Sequence, residues 1–308
     1  MAILVLTSPL PSQPFVDALR AQAPDVPVWT EADAPPADRV EALLAWRLKP
    51  GTVTRYPRLR VLCSVGAGAE KLLVEDVPQH VPVTRVVDPL QAQEIAQYVL
   101  ACTLRFTREL PLYEQQQAHA EWRRHPVRPA SRCRVGVLGL GAVGQAVARA
   151  FAPLGYEMAG WSRRARELPG VRAYGGPEGL PQVLVRSDIL VCALPLTSDT
   201  RGLLDGATLR QLPRGAYLVN VGRGEHLVEA DLRALLDEGH LAGAALDVFE
   251  REPPKPDDWV WSHPRVLATP HIAAQASVET VAQQCLESLQ RARDGLSQPR
   301  AIDRRAGY

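Results

Sequence analysis

Arg223, Glu252 and His271 occupy equivalent places in three short segments: Val219-Asn220-Val221-Gly222-Arg223-Gly224, Leu246-Asp247-Val248-Phe249-Glu250-Arg251-Glu252-Pro253 and Thr269-Pro270-His271-Ile272-Ala273-Ala274. In each, polar residues appear where an apolar run of strand length has just ended. Open α/β sheets bind ligands outside the carboxyl ends of their strands, so these side chains can converge on one crevice. Their chemistry is complementary. A guanidinium grips a carboxylate and a carbonyl oxygen, an imidazole supplies a proton, and a carboxylate holds that imidazole protonated and oriented. The set suits a small 2-oxo acid. Taken singly, each is an ordinary surface or satisfied polar residue, and it is the shared strand-end placement that groups them. Glu250 competes with Glu252, but the spacing from Asp247 and the following Pro253 favour Glu252. His226, His240 and His263 read as loop or solvated helix-end residues without a role, and no metal site is assigned.

A different chemistry lies earlier in the chain. The apolar strand 134–138 runs into Gly139-Leu140-Gly141-Ala142-Val143-Gly144, with apolar helical sequence over 146–154 behind it. Gly139 permits the tight turn, Gly141 lets a pyrophosphate approach the backbone, and Gly144 lets the helix pack close to the sheet. The first helical turn, with Ala142 and Val143, offers N–H groups to phosphates. In an NAD site the second strand ends in Asp or Glu about twenty residues on. Here strand 156–161 ends in Ser162-Arg163-Arg164. Arginine forks bind phosphate, which points to the 2′-phosphate of NADP, a solvated basic loop being the plain alternative. Leu194, Pro195 and Val221, at the ends of two later strands, complete the candidate cofactor contacts.

Strand-length apolar runs alternate with helical sequence throughout, the pattern of an α/β protein with parallel sheets. In the first third they fall at 3–6, 26–29, 41–46, 60–65 and 81–87, with a helix over 15–22. Residues 91–117 form a long helix-compatible stretch broken by Pro111. Six strands follow, at 134–138, 156–161, 188–194, 216–221, 242–249 and 266–269, the count of a doubly wound nucleotide fold. An amphipathic helix over 277–294 then returns to the first domain, making that domain discontinuous. The boundaries expected are 1–97 for the first part of a substrate-binding domain, 98–275 for a nucleotide domain, and 276–308 for the return.

With 308 residues and 46% hydrophobic content, the chain can bury two cores. Its net charge of +1 comes from dispersed residues and gives no footprint for nucleic acid or an anionic membrane. Cys63, Cys102, Cys133, Cys192 and Cys285 are far apart and odd in number, as expected of buried thiols in a reducing compartment. The apolar run 2–6 is too short for a signal or membrane segment. A soluble cytoplasmic protein is expected.

The motifs GLGAVG, VNVGRG, LDVFEREP and TPHIAA, in that order, resemble those of the D-isomer-specific 2-hydroxyacid dehydrogenases. Val65-Gly66-Ala67-Gly68-Ala69 looks like that family's carboxylate-binding loop. The AWRLKP segment around Trp46, the WSRR turn and the terminal DRRAGY are similar to A-type glyoxylate/hydroxypyruvate reductases. The resemblance covers nearly the whole chain. It implies a Rossmann nucleotide domain inserted in a discontinuous flavodoxin-like substrate domain, both doubly wound around parallel sheets. It also implies NADPH-dependent reduction of glyoxylate or hydroxypyruvate, with Arg223, Glu252 and His271 in catalysis and Asp247 on the nicotinamide amide. Ala67, Gly68 and Arg223 would contact substrate, as would Trp46, for which a core position at the end of an apolar strand is the plain alternative, and the enzyme would be a homodimer built through its nucleotide domains. Other specificities of the family, and a non-enzymatic dinucleotide sensor on the same fold, are the rival readings. Retention of Arg, Glu and His, with no charged or disordered recruiting tail, argues against the sensor. Resembling formate dehydrogenases carry Gln where Glu252 stands.

Overall fold

The computed structural model describes residues 2–164 and 167–304, so the terminal motif from Arg305 onward lies outside the described residues. The chain divides into two compact units, Met1–Leu90 with Gln275–Tyr308, and Gln91–Ala274. The sequence reading set these divisions at 97/98 and 275/276. The first falls earlier because helix residues Ala92, Ala96, Val99 and Cys102 are already buried in a cluster of the second unit.

The first unit opens with β1 (Ala2–Leu6), α1 (Gln13–Gln22), β2 (Val28–Thr30), β3 (Val40–Ala45), β4 (Val61–Ser64) and β5 (Val83–Thr84). All pairings are parallel, in the order β2-β1-β3-β4-β5. This is the doubly wound order with its switch point between β1 and β3. Leu43, Leu44 and Leu62 are fully buried, which explains strands that read as continuous apolar runs rather than alternating ones.

The second unit begins with α2 (Pro89–Thr107) and α3 (Leu110–Ala118). The long helical stretch divides before Pro111, because the proline ring would clash with the carbonyl four residues back, that of Thr107. Glu109, at the break, takes a φ of 53°. Then come β6 (Arg134–Leu138), α4 (Ala142–Phe151), β7 (Glu157–Ser162), β8 (Val171–Gly175), α5 (Gly179–Leu184) and β9 (Ile189–Cys192). They are followed by α6 (Gly206–Leu209), β10 (Ala216–Asn220), α7 (Glu229–Asp237), β11 (Leu241–Leu246) and β12 (Val266–Ala268). The parallel sheet runs β12-β11-β10-β9-β6-β7-β8, a nucleotide-fold order with its reversal between β9 and β6. Among the described residues it has seven strands where the sequence suggests six. The strand not foreseen is β8, a half-exposed edge strand whose residues lack an apolar run.

The last helix, α8 (Val278–Arg293), belongs to the first unit, where Val281, Ala282, Cys285 and Leu289 pack with Ile3, Leu19 and Val61. Ser277 caps its start by accepting the Thr280 N–H at 3.1 Å. Beyond it, Ile302 donates its N–H to the Val83 carbonyl at 2.9 Å, closing the edge at β5.

Candidate active site

In the second unit the strand ends carry the chemistry. β6 delivers the chain into Gly139, whose φ of 99° and closeness to the Ala193 carbonyl, 2.5 Å from where a Cβ would stand, admit no side chain. A Cβ on Gly144 would overlap the Gly139 carbonyl, so α4 can begin only where that methyl is missing. At Gly141, the N-cap of α4, a Cβ would meet nothing within 4 Å. A tight turn, open ground and the N-terminus of a ten-residue helix together form an anion cradle. Leu194 is buried just beyond β9, while Pro195 is exposed and Val221 half-buried.

At the end of β7, Arg163 and Arg164 are exposed. The Ser162 hydroxyl donates to the Arg164 carbonyl at 2.6 Å, which folds the turn on itself.

After β10, the Arg223 backbone is gripped on both sides. Its carbonyl accepts from Asn220 Nδ2 at 3.0 Å, and its N–H donates to His226 Nδ1 at 3.0 Å. Nη1 of the half-buried side chain donates to the Gly222 carbonyl at 2.7 Å. Gly224 backs onto Phe249 and Glu250, where any Cβ would overlap backbone, so the loops after β10 and β11 lie against each other.

The loops after β11 and β12 bring Glu252 and His271 together. Nδ1 of His271 stands 3.1 and 3.0 Å from the two oxygens of Glu252, and Oε1 also accepts the Phe249 N–H at 3.2 Å. It is Glu252, not Glu250, that meets the histidine; Glu250 is exposed and its N–H donates to Glu229. His271 has a φ of 55°, unusual for a residue with a side chain. Asp247 holds it there. That carboxylate, 1% exposed, accepts from Thr269 Oγ1 (2.6 Å), the Ile272 N–H (2.8 Å) and the Ala273 N–H (2.8 Å). Its own carbonyl takes the His271 N–H at 3.0 Å. Three of about four lone-pair directions are thereby filled, so Asp247 is first of all the brace of the histidine loop. Tyr98 extends the brace, its hydroxyl 2.6 Å from Thr269 Oγ1. Burial pushes the Tyr98 phenol well up, so it stays protonated.

In the first unit, Trp46 and the 65–69 loop are neighbours. A Cβ on Gly66 would lie 3.5 Å from the indole, and Lys71 Nζ sits 5.6 Å from the ring centre. Ser64 ties the loop by accepting the Gly66 N–H and donating to the Gly68 carbonyl. Ala67 is exposed and Gly68 half-buried.

Two residues of the site were not foreseen. His226, read as a loop or solvated helix-end residue without a role, has no exposed surface, and Tyr98 was read only as helix. Asn220 stood in a quoted motif without a role. The polar sequence around His226 carries no sign of burial, which tertiary packing alone imposes. Among the described residues no cluster of His, Cys, Asp or Glu could hold a metal ion.

A doubly wound sheet with a glycine cradle at its switch point and an Arg, Glu and His at its strand ends defines a dinucleotide-binding oxidoreductase architecture. Residues 100–273 match the family described as D-isomer specific 2-hydroxyacid dehydrogenase, NAD binding domain. The chain is 32% identical over 302 residues to a glyoxylate/hydroxypyruvate reductase A from Yersinia enterocolitica, covering 96% of each. To the protein of that name from Serratia proteamaculans it is 35% identical over 267 residues, 83% of this chain and 84% of that one. Among solved structures it is similar to a D-isomer specific 2-hydroxyacid dehydrogenase from Xanthobacter autotrophicus in complex with NADPH and MES. That match has 39% identity and a TM-score of 0.92 over 100% of this chain and 99% of that one. An NADPH-dependent glyoxylate/hydroxypyruvate reductase from Sinorhizobium meliloti, in complex with NADP and sulfate, matches at 34% identity and a TM-score of 0.90, over 100% and 99%. The chain belongs to the D-isomer-specific 2-hydroxyacid dehydrogenase family.

Proposed function

We propose that this protein reduces small 2-oxo acids, glyoxylate and hydroxypyruvate first among them, to the matching 2-hydroxy acids at the expense of NADPH. The observation that carries the reading is the Glu252–His271 pair, held on a braced loop. Glu252 engages Nδ1 and so orients the imidazole, and from the ring's other nitrogen His271 gives a proton to the oxygen that becomes the hydroxyl. Arg223 grips carboxylate and carbonyl oxygen and offsets the charge that develops on that oxygen. In the first unit, the 65–69 loop with Ala67 and Gly68 offers N–H groups to the carboxylate, and Trp46 lines it. A reduced nicotinamide nucleotide on the Gly139–Gly144 cradle supplies the hydride when bound.

The residues fit such a group. Gly141 is open where a pyrophosphate would approach, Ala142 and Val143 start the helix, and Leu194, Pro195 and Val221 stand at adjoining strand ends. Asp247 has one acceptor direction left for the amide. Arg163 and Arg164 suit a 2′-phosphate, and Ser162 joins them if its hydroxyl turns from the Arg164 carbonyl. The complexes of the Xanthobacter and Sinorhizobium proteins, with NADPH and NADP, support that choice. We further read the enzyme as a cytoplasmic homodimer. Five buried unpaired thiols suit a reducing compartment, and Trp122, 95% exposed just beyond α3, suits contact with a second copy. No helix among the described residues is long and apolar enough to cross a membrane.

Steady-state oxidation of NADPH and NADH over a panel of 2-oxo acids tests the reading. Turnover is expected with glyoxylate and hydroxypyruvate, with NADPH preferred about tenfold or more in kcat/KM. That advantage should shrink as salt rises. Nucleotide binding without turnover on any 2-oxo acid would overturn the reading and leave a sensor. Equal use of both nucleotides at low salt would remove the NADP preference alone.

A further inference from the structure

His226 lies in the loop between β10 and α7, three residues after Arg223, and is fully buried. Its ring bridges two loops at the carboxyl edge of the sheet. Nδ1 accepts the Arg223 N–H at 3.0 Å, while Nε2 stands 3.2 Å from the Pro195 carbonyl in the loop after β9. A backbone N–H only donates and a carbonyl only accepts. Both bonds therefore form together in one species alone, the neutral imidazole with its proton on Nε2. The His226 N–H also donates to the Arg223 carbonyl at 3.2 Å. Gly222 leaves room for the ring, since a Cβ there would lie 2.9 Å from Nδ1.

We propose that His226 is a positioning residue, which ties the backbone of Arg223 to the Leu194–Pro195 loop and so fixes the point from which the guanidinium reaches. It touches no substrate. The inference rests on the reading of Arg223 as the group that grips the 2-oxo acid. Burial lowers the affinity of His226 for a proton, with the Arg223 charge adding to it and Glu225 opposing. Among the described residues those two are the charged groups that act on the ring, and the facing loop presents the Pro195 carbonyl. Protonation would set a second N–H against that of Arg223 and break the tie. A histidine that merely filled space would have neither a required tautomer nor an effect routed through Arg223.

Nitrogen NMR of the protein without nucleotide reads the tautomer directly. The proton is expected on Nε2, with titration below the ordinary imidazole range near 6.5; a proton on Nδ1 would overturn the proposal. His226→Phe keeps a ring without polar atoms, whereas His226→Asn keeps an acceptor near the place of Nδ1. In folded protein, His226→Phe should lower kcat/KM for glyoxylate by roughly tenfold to a hundredfold, and His226→Asn should recover most of it. In an Arg223→Ala background, His226→Phe should add less than about twofold, because its effect runs through the missing guanidinium. A full additive loss would show a general structural role and end the proposal. If His226→Phe does not fold, the tautomer decides. Should Arg223→Ala alone leave kcat/KM intact, the functional reading of Arg223 fails, while the tautomer still reports whether the tie exists.

Discussion

The loops after β6 and after β12 lie at the same edge of one sheet and both use left-handed backbone, yet they obtain it by opposite means. At Gly139 the side chain is missing, so a φ of 99° costs little and the turn also fits against the Ala193 carbonyl just past the neighbouring strand. At His271 the side chain is indispensable to the proposed chemistry, and the φ of 55° is held by a buried carboxylate from another strand. Strain in a non-glycine residue of order 1–3 kcal/mol persists only where its surroundings over-determine it. Here four hydrogen bonds to Asp247 do so, three to its carboxylate and one to its carbonyl. A binding loop can take left-handed backbone by leaving out a side chain, whereas a loop that must present one there needs a partner to hold it.

The contrast breaks most severely at Asp247. Asp247→Ala removes acceptors from two backbone N–H groups and the Thr269 hydroxyl, and frees His271 to relax. A loss of about a thousandfold or more in kcat/KM is expected, from unsatisfied groups at roughly 1–3 kcal/mol each and misplacement of the imidazole. Nucleotide affinity should fall far less. Asp247→Asn should recover part of the rate, because its carbonyl oxygen can still serve Thr269 and Ile272. If the alanine variant reduced 2-oxo acids normally, the brace would be decorative.

Gly141→Ala sharpens the other side. A methyl there meets nothing within 4 Å, so thermal stability without nucleotide should shift by no more than about 1 °C per few tenths of a kcal/mol of helix-cap change. NADPH binding, measured by fluorescence titration, should weaken by roughly tenfold or more as the methyl displaces the pyrophosphate. Unchanged affinity would place the phosphates elsewhere.

The smallest effect belongs to Tyr98→Phe. It removes one hydroxyl, 2.6 Å from Thr269, from the outer end of the brace and leaves Asp247 in place. A drop of about two- to fivefold in kcat, with KM for NADPH unmoved, is expected from a single neutral hydrogen bond of about 1 kcal/mol. A loss as large as that in Asp247→Ala would mean that the phenol, not the carboxylate, holds the loop.

The same contrast explains what could be read from the chain alone. Strand 134–138, its glycine turn and the last helix were legible because their signals are contiguous: apolar runs, phosphate-loop spacing, an amphipathic period. Glu252 and His271 were legible as types and order, but their 3.0 Å approach is a product of two loops 19 residues apart. The resemblance put Asp247 on the nicotinamide amide, and its bracing of the histidine loop was not legible because nothing local shows that Ile272 and Ala273 turn back onto it. Burial of His226 and the edge strand 171–175 were missed for a related reason. The first lies in polar sequence, and the second has one neighbour and few buried side chains to announce it.

The five cysteines carry a consequence of their own. Cys63 on β4 and Cys285 on α8 lie in one unit; Cys102, Cys133 and Cys192 lie in the other, and all are buried as free thiols. Burial pushes the Cys133 thiol up to about 11, so even a chance encounter with an electrophile finds little thiolate. Each sulfur can be alkylated only when the packing around it opens. Mapped by mass after timed exposure to iodoacetamide, the thiols become native clocks that record which half of the molecule breathes first, with no residue substituted.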